Sequence, residues 1–381
     1  MRELYLDNNA TTPIAPEVRE ALLPFLDERY GNPSSLHRKG VEAERALKES
    51  RHKMAALLNV RDQEIIFTSG ATESDNLALK GVARAYQRQG KHLVTTAAEH
   101  EAVLESCKAL EEEGFEVTRL TPDGYGRVGV EQVISALRDD TVLVAVMHVN
   151  NELGTIYPIA EMARAVKRRN PKTLVFSDGA QAFGKLPVSL QQVDLYAISG
   201  HKIHAPKGVG ALWVRNGVRL RPLLSGGGQE RNLRPGTENV AGAVALAAAA
   251  TLAYANLEGH RDHLRALKRR FLEGMAGLEP VRINSPEDGL ETTANVAFPG
   301  VPAEVLLHAL EARGVYVSTG SACSTRHKRH SHVLHALGLP EAVMNASLRF
   351  SFSRYNTLGG IDYALAVMHQ VVPELRATVR G

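Results

Sequence analysis

The sequence predicts an α/β protein: a large domain on a mostly parallel sheet flanked by helices, joined to a smaller α+β domain. Three observations carry this. Short apolar, β-branched runs alternate with helical stretches through most of the chain, the pattern of parallel strands covered on both faces. The texture changes at a long charged helical stretch, NLEGHRDHLRALKRRFLEGM (256–275). The length, 381 residues, allows one large domain with an appendage or two to three domains. The large domain is expected to span 15–255, and residues 1–14 with 256–381 to form the small one.

The elements follow in order. EIIFTS (64–69) reads as a strand, with the amphipathic helix ESDNLALKGVARAYQRQG (73–90) after it. KHLVTT (91–96) is a second strand, followed by the helix EAVLESCKALEEEG (101–114). FEVTRL, TVLVAVMHV, TLVFSD, DLYAIS and GALWVR continue the series. Past the charged helix come ETTANVAFPG, a helix from Ala303 to Arg313, GVYVSTG and SLRFSFS. No internal repeat, low-complexity tract or flexible linker interrupts them.

Composition is ordinary for a globular chain, at 44% hydrophobic and 23% charged. Two cysteines, Cys107 and Cys323, are too few for a disulfide framework and point to a reducing compartment. Cys107 shares a helix face with Val103 and Leu110, the spacing of a buried structural thiol. The start MRELYLDNNATTP lacks the basic-then-apolar order of a signal peptide. The apolar stretch Ala241–Ala255 is short of the ~20 residues that span a bilayer and reads as a buried helix. A soluble, cytoplasmic protein is expected. A net charge of +3 with 15 histidines gives no basic stripe with interleaved aromatics, so direct nucleic-acid binding is not expected.

Three features carry chemistry. In EIIFTSGATESDN a strand ends, a glycine turns and a helix begins, so free N–H groups and the helix dipole make an anion site, with Thr72 adding a hydroxyl. In LVFSDGAQAFG, Asp178 ends a strand, where ligands of open α/β sheets bind; a helix N-cap is the alternative. In DLYAISGHKIHAPKG, Lys202 follows the next strand directly, in a setting unlike that of a solvated lysine. An anion cradle, a carboxylate and a lysine at one sheet edge are what pyridoxal phosphate requires. Its phosphate takes N–H donors, its aldehyde a lysine and its pyridine nitrogen a carboxylate.

LDNNATTP, GNPSS, FTSGATESDNLA, EHEAVL, MHVNNELGT, DGAQ, SGHKIHAPKGVGAL, GGGQERNLRPGTENV, TGSACS and LRFSFSRYNT occur in that order from about residue 4 to 370. The chain thereby resembles the cysteine desulfurases, pyridoxal-phosphate enzymes of the class V aminotransferase family and of fold type I. TGSACS is similar to the long-loop type of nitrogen fixation and iron–sulfur-cluster assembly. The resemblance implies that Lys202 holds the cofactor, Asp178 pairs with its pyridine nitrogen, Gln181 bonds the ring hydroxyl and His100 stacks on the ring. It places Ala71, Thr72, Ser199 and His201 at the phosphate, and Thr237 at the phosphate of a neighbouring subunit, hence a homodimer. Asn151 and Arg349 hold the substrate carboxylate, the latter suited by its bidentate guanidinium.

Cys323 gains a task from this resemblance. The amine of L-cysteine displaces Lys202, the freed lysine removes the α-proton, and the Cys323 thiolate attacks the substrate sulfur. Alanine departs and Cys323 keeps a persulfide for a protein sulfur acceptor, such as an iron–sulfur cluster scaffold, or for tRNA or cofactor thiolation. Arg326, Lys328 and Arg329 favour the thiolate of a group whose ordinary pKa is about 8.5. The stretch RHKRHSH (326–332) reads first as a solvated loop, then as a steering surface for an acidic acceptor. Its histidines, with His335, are not expected to bind a metal. Selenocysteine lyase and transaminase are the rival activities, and a cofactor-free scaffold the rival of another class. Ala205, where this family has glycine, and Pro235 before Gly236 depart from the pattern.

Overall fold

The computed structural model describes residues 3–320 and 331–380. Among the described residues twelve strands follow in chain order: β1 (Leu4–Tyr5), β2 (Ile65–Thr68), β3 (His92–Thr96), β4 (Glu116–Leu120), β5 (Thr141–Ala145) and β6 (Leu174–Asp178), then β7 (Leu195–Ser199), β8 (Gly210–Val214), β9 (Arg282–Ile283), β10 (Thr293–Ala297), β11 (Val315–Tyr316) and β12 (Ser347–Ser351). Seven form the main sheet in the order β2-β8-β7-β6-β5-β3-β4. Only β8 runs against its neighbours; the other pairings are parallel.

Both faces of that sheet are covered, which is why its central strands read as nearly continuous apolar runs. On β7, Leu195 and Ala197 face one layer while Tyr196 and Ile198 face the other. The first layer holds the helices Ala71–Tyr86 and Glu101–Glu112, through Leu77, Val82, Val103, Cys107 and Leu110. The second holds Arg38–Leu58, Ile159–Arg169 and Val240–Ala255. The alanine-rich helix Val240–Ala255 is buried against Arg38–Leu58 as expected, and its small side chains let the two backbones approach. No single helix among the described residues is long and apolar enough to cross a membrane. Burial holds the Cys107 thiol far from reactivity, at about 12.

Helix boundaries differ from the sequence reading by a few residues. The helix expected at 73–90 spans Ala71–Tyr86: Gly70 sets its start, and Gln87–Gly90 turn toward β3. A further core joins Leu4 and Leu6 to Leu264, Leu267, Phe271, Leu306, Phe350 and Ile361. There β12, β10 and β9 form an antiparallel sheet, and β1 pairs with β11 in parallel. Phe271 lies 4.6 Å from Phe350 and 5.4 Å from Phe352, ring centre to ring centre. A chain segment that starts in this core at Leu6 therefore passes directly to the edge of the large sheet.

Candidate active site

Strands β2, β3, β6 and β7 run the same way and end at one edge of the sheet, at Thr68, Thr96, Asp178 and Ser199. A cavity of about 450 Å³ opens there. At one end lie Ala71, Thr72, Ser199 and His201. Gly70 caps the helix Ala71–Tyr86 with φ 154° and ψ −179° and offers no side chain to its N–H groups. That backbone conformation is open essentially to glycine alone. Glu73 in the first turn is turned aside: it accepts from the Ser69 N–H (2.8 Å) and pairs with Arg234 (3.1 Å). The helix start thus presents donors and a positive dipole end to an anion.

Lys202 enters the cavity from the short turn after β7, and its Nζ donates to the carbonyls of Asn9 (2.6 Å) and Ala10 (2.8 Å). The segment carrying it is laced to the N-terminal segment. The Thr12 N–H and hydroxyl donate to the His201 carbonyl, the His204 N–H donates to the Thr12 hydroxyl, and the Ala15 N–H donates to the His204 carbonyl. His201 Nδ1 lies 3.1 Å from the Thr11 hydroxyl. Burial first, then Lys202 and Lys207, push the His201 imidazole down to about 4, so it is neutral. Ala205 is fully buried.

Asp178 is buried and accepts one backbone N–H, from Ala180, at 2.8 Å. The N-cap alternative is thus realised only as this local turn contact. Gly179 permits the turn: a Cβ there would lie 2.0 Å from the Tyr196 ring. Burial raises the Asp178 carboxyl above its ordinary range, opposed by His100 and Lys202. His100 caps the helix Glu101–Glu112, its Nδ1 accepting the Ala102 N–H at 3.1 Å. Burial lowers its pKa, so the neutral imidazole keeps its proton on Nε2. A buried carboxylate with one neutral donor fits a protonated pyridine nitrogen, which offsets the desolvation that raises it.

Three polar atoms of this cavity's lining residues have no hydrogen-bond partner among the described residues. They are Asn9 Oδ1, Asn151 Oδ1 and Arg349 Nε. Arg349, on β12, is 2% exposed and donates to Asp7 (2.8 Å) and to the Asn151 carbonyl (3.1 Å). Its remaining Nε donor fits a small zwitterion's carboxylate, to which Asn151 can add only an Nδ2 donor, since its Oδ1 accepts. These features together accommodate pyridoxal phosphate with an amino-acid substrate beside it.

Of the residues singled out from sequence, Lys202, Asp178, Gln181, His100, Ala71, Thr72, Ser199, His201, Asn151 and Arg349 all line this one cavity. Thr237 does not: it is exposed and lines a separate hollow of about 150 Å³ with Glu230 and Arg234. Cys323 lies outside the described residues, as does most of the basic stretch. The flanks of that segment are described. Ser331 donates to the Glu152 carboxylate at 2.5 Å, and a Cβ on Gly320 would lie 3.0 Å from the same carboxylate. Both described flanks, Gly320 and Ser331, thus lie at Glu152, the residue after Asn151. His332 contacts the Glu99 carbonyl at 2.8 Å. No metal-binding group occurs among the described residues.

Four residues escaped the sequence reading. Asn9 meets Lys202, Gln181, Asn151 and Thr293; its motif was legible, its reach was not. Lys185 donates to Gln181 at 2.7 Å. Glu99 is fully enclosed and accepts from Thr96 and the Met147 N–H; burial lifts it to about 8. Asp75, also buried, has neither carboxyl oxygen hydrogen-bonded among the described residues, and burial, Asp178 and Glu99 hold it well above the usual carboxylate range.

Known proteins resemble this chain over nearly its whole length. Residues 4–364 match the aminotransferase class-V family. The cysteine desulfurase IscS of Methanosarcina thermophila is 44% identical over 378 residues, 98% of this chain and 93% of the relative. That of Dictyoglomus turgidum is 44% identical over 379 residues, 98% and 96% respectively. A solved NifS-like protein superposes with a TM-score of 0.93 at 40% identity, covering 98% of this chain and all of the other. A structure described as SspA in complex with cysteine superposes at 0.82 with 36% identity, covering 93% and 99%. With its fold-type-I architecture, a cavity whose lining fits pyridoxal phosphate and this likeness over nearly its whole length, the chain is a member of the aminotransferase class-V family.

Proposed function

We propose that this protein is a pyridoxal-phosphate-dependent cysteine desulfurase that releases L-alanine from L-cysteine and takes the sulfur as a persulfide on Cys323. One observation carries the reading furthest: Lys202, Asp178 and a helix start converge on a cavity also lined by Asn151 and by Arg349, whose Nε has no partner among the described residues. Relatives at 44% identity bear the name cysteine desulfurase, and a solved neighbour is described as holding cysteine.

Bound at Lys202, the cofactor supplies an electron sink for the substrate's α-carbon. Arg349 and Asn151 hold the substrate carboxylate and so orient the amine toward Lys202. Lys202 takes up the α-proton, and the neutral His100 offers an Nε2 proton within the same enclosure. The Cys323 thiolate attacks the substrate sulfur: a sulfur–sulfur bond forms and the carbon–sulfur bond breaks. The electron pair stays with carbon, which takes a proton to become the methyl group of alanine.

The sulfur then passes to a protein acceptor that serves iron–sulfur cluster assembly or tRNA or cofactor thiolation. The protein works as a homodimer. Thr237 stands apart from its own subunit's cavity, and Leu23, Leu26, Tyr30, Leu36 and Val41 leave an exposed apolar stretch, with Leu36 98% exposed.

The test is alanine formation from L-cysteine with a reductant present. Wild type yields alanine, and Cys323→Ser yields at most about a hundredth as much, the loss typical of a missing nucleophile. Equal yields would replace the thiol relay with a lyase reaction. No alanine from cofactor-loaded wild type would remove the desulfurase reading.

A further inference from the structure

Gln181 is buried between two partners of opposite kind. Its Oε1 accepts from Lys185 Nζ at 2.7 Å and its Nε2 donates to the Asn9 carbonyl at 3.0 Å. A carboxamide alone has no preference between its two ends. Here, while Lys185 is protonated, an ammonium that can only donate lies on one side and a carbonyl that can only accept lies on the other. Together they turn the amide nitrogen toward Asn9, with its second N–H left for the cavity that Gln181 lines. The same Asn9 carbonyl accepts from Lys202, so one hydrogen-bonded chain runs from Lys185 to the cofactor lysine.

Among the described residues, Lys185 has no carboxylate paired with it. It borders a small hollow of about 50 Å³ behind Lys202, lined also by His204, His260, Arg261 and Arg354. Burial, followed by the charges of Lys202 and Arg349, pushes the Lys185 ammonium down to about 7. Its one hydrogen bond among the described residues is the contact with Gln181. A lysine desolvated among cations is destabilising in itself, so its contribution lies in what it orients.

We propose that Lys185 is a positioning residue that fixes the Gln181 amide so that a nitrogen-bound hydrogen faces the ring hydroxyl of pyridoxal phosphate. This rests on the reading that Gln181 bonds that hydroxyl. A donor on the ring oxygen withdraws charge that otherwise holds a proton beside Lys202, so the loss of the donor makes that proton harder to remove.

The experiment is a pH titration of the bound cofactor's absorbance in the holoenzyme, with Lys185→Met, Gln181→Leu, their double variant and Lys185→Arg. Both single variants raise the midpoint by about half to one pH unit, the worth of one hydrogen bond. The double variant matches Gln181→Leu alone, and Lys185→Arg, which keeps a donor-only group, stays near wild type. If Lys185→Met adds its full shift in the Gln181→Leu background, Lys185 acts through charge and the proposal is wrong. It is equally wrong if Lys185→Met leaves the midpoint in place while Gln181→Leu moves it; the Gln181 reading then survives. If Gln181→Leu moves nothing, that reading falls and takes the proposal with it. Should the methionine variant fail to fold, Lys185→Ala enters the same cycle with the same expectations.

Discussion

Asp178 is buried with one backbone N–H on its carboxylate, and desolvation makes it a weaker acid than an exposed aspartate. A cation arriving opposite it reverses that balance, because the attraction in an enclosed site offsets the cost of burying the charge. Asp178→Asn keeps the shape and the Ala180 contact but removes the charge. We expect it to weaken cofactor binding by about a hundredfold or more, the cost of breaking a buried pair, and alanine formation to fall at least as far. Equilibrium dialysis against pyridoxal phosphate at fixed pH checks the first effect, and a dissociation constant within a few-fold of wild type would contradict it. Asp178 and Lys202 were legible because each follows a strand pattern directly, and strand ends are where an α/β sheet binds ligands. Asn9 was not: its partners Gln181 and Lys202 are 172 and 193 positions away.

Among the elements, the start of the helix Ala71–Tyr86 does the most for the site with the fewest side chains. Its anion-binding character comes from backbone N–H groups that Gly70 leaves uncapped and from Glu73 being drawn away by Ser69 and Arg234. A Cβ on Gly70 would touch nothing within 4 Å, so the barrier to substitution is the φ of 154° and not a clash. Gly70→Ala is expected to cost about 1–3 kcal/mol, the usual price of an L-residue held there, or to shift the helix start and spoil the phosphate site. A thermal melt of the cofactor-free variant reads the first loss, and cofactor titration reads the second. Unchanged values for both would show that the first turn does not depend on that conformation. The glycine, and the turn it makes, were readable in SGATES; the turning-aside of Glu73 was not, because Arg234 comes from a distant loop.

Across the whole molecule, the site lies where a segment of the Leu4–Leu6 core crosses to the large sheet, and the packing around it buries titratable groups. Glu99 is fully enclosed beneath the cavity edge, with a pKa of about 8 in the folded chain. In the unfolded chain it reverts to the ordinary 4.5. Between those values the folded state binds the extra proton, so this group's effect on stability becomes less favourable as pH rises through that window. Glu99→Gln carries no such penalty. Its stability relative to wild type is expected to rise by up to about 1.4 kcal/mol per pH unit between 4.5 and 8 and to level off above. Urea midpoints of both cofactor-loaded proteins at equal cofactor concentration, at pH 5.5, 6.5, 7.5 and 8.5, measure it. A difference that stays flat across those pH values would show that Glu99 is ionised throughout.

The sequence by itself determined the alternation of strands and helices, the sheet edge on which Asp178, Lys202 and the glycine-led helix fall, and the structural burial of Cys107. Those properties follow from local periodicity and from turn residues, which neighbouring positions set. Only the tertiary structure decided that Asn9 braces the cofactor lysine, that Lys185 governs the end-for-end orientation of Gln181, and that Arg349 keeps an unpartnered donor while bound to Asp7. It also decided that Glu99 and Asp75 lie enclosed beside Asp178. Each of these depends on which distant groups meet and on how much water they exclude, and neither quantity is carried by a residue's immediate neighbours along the chain.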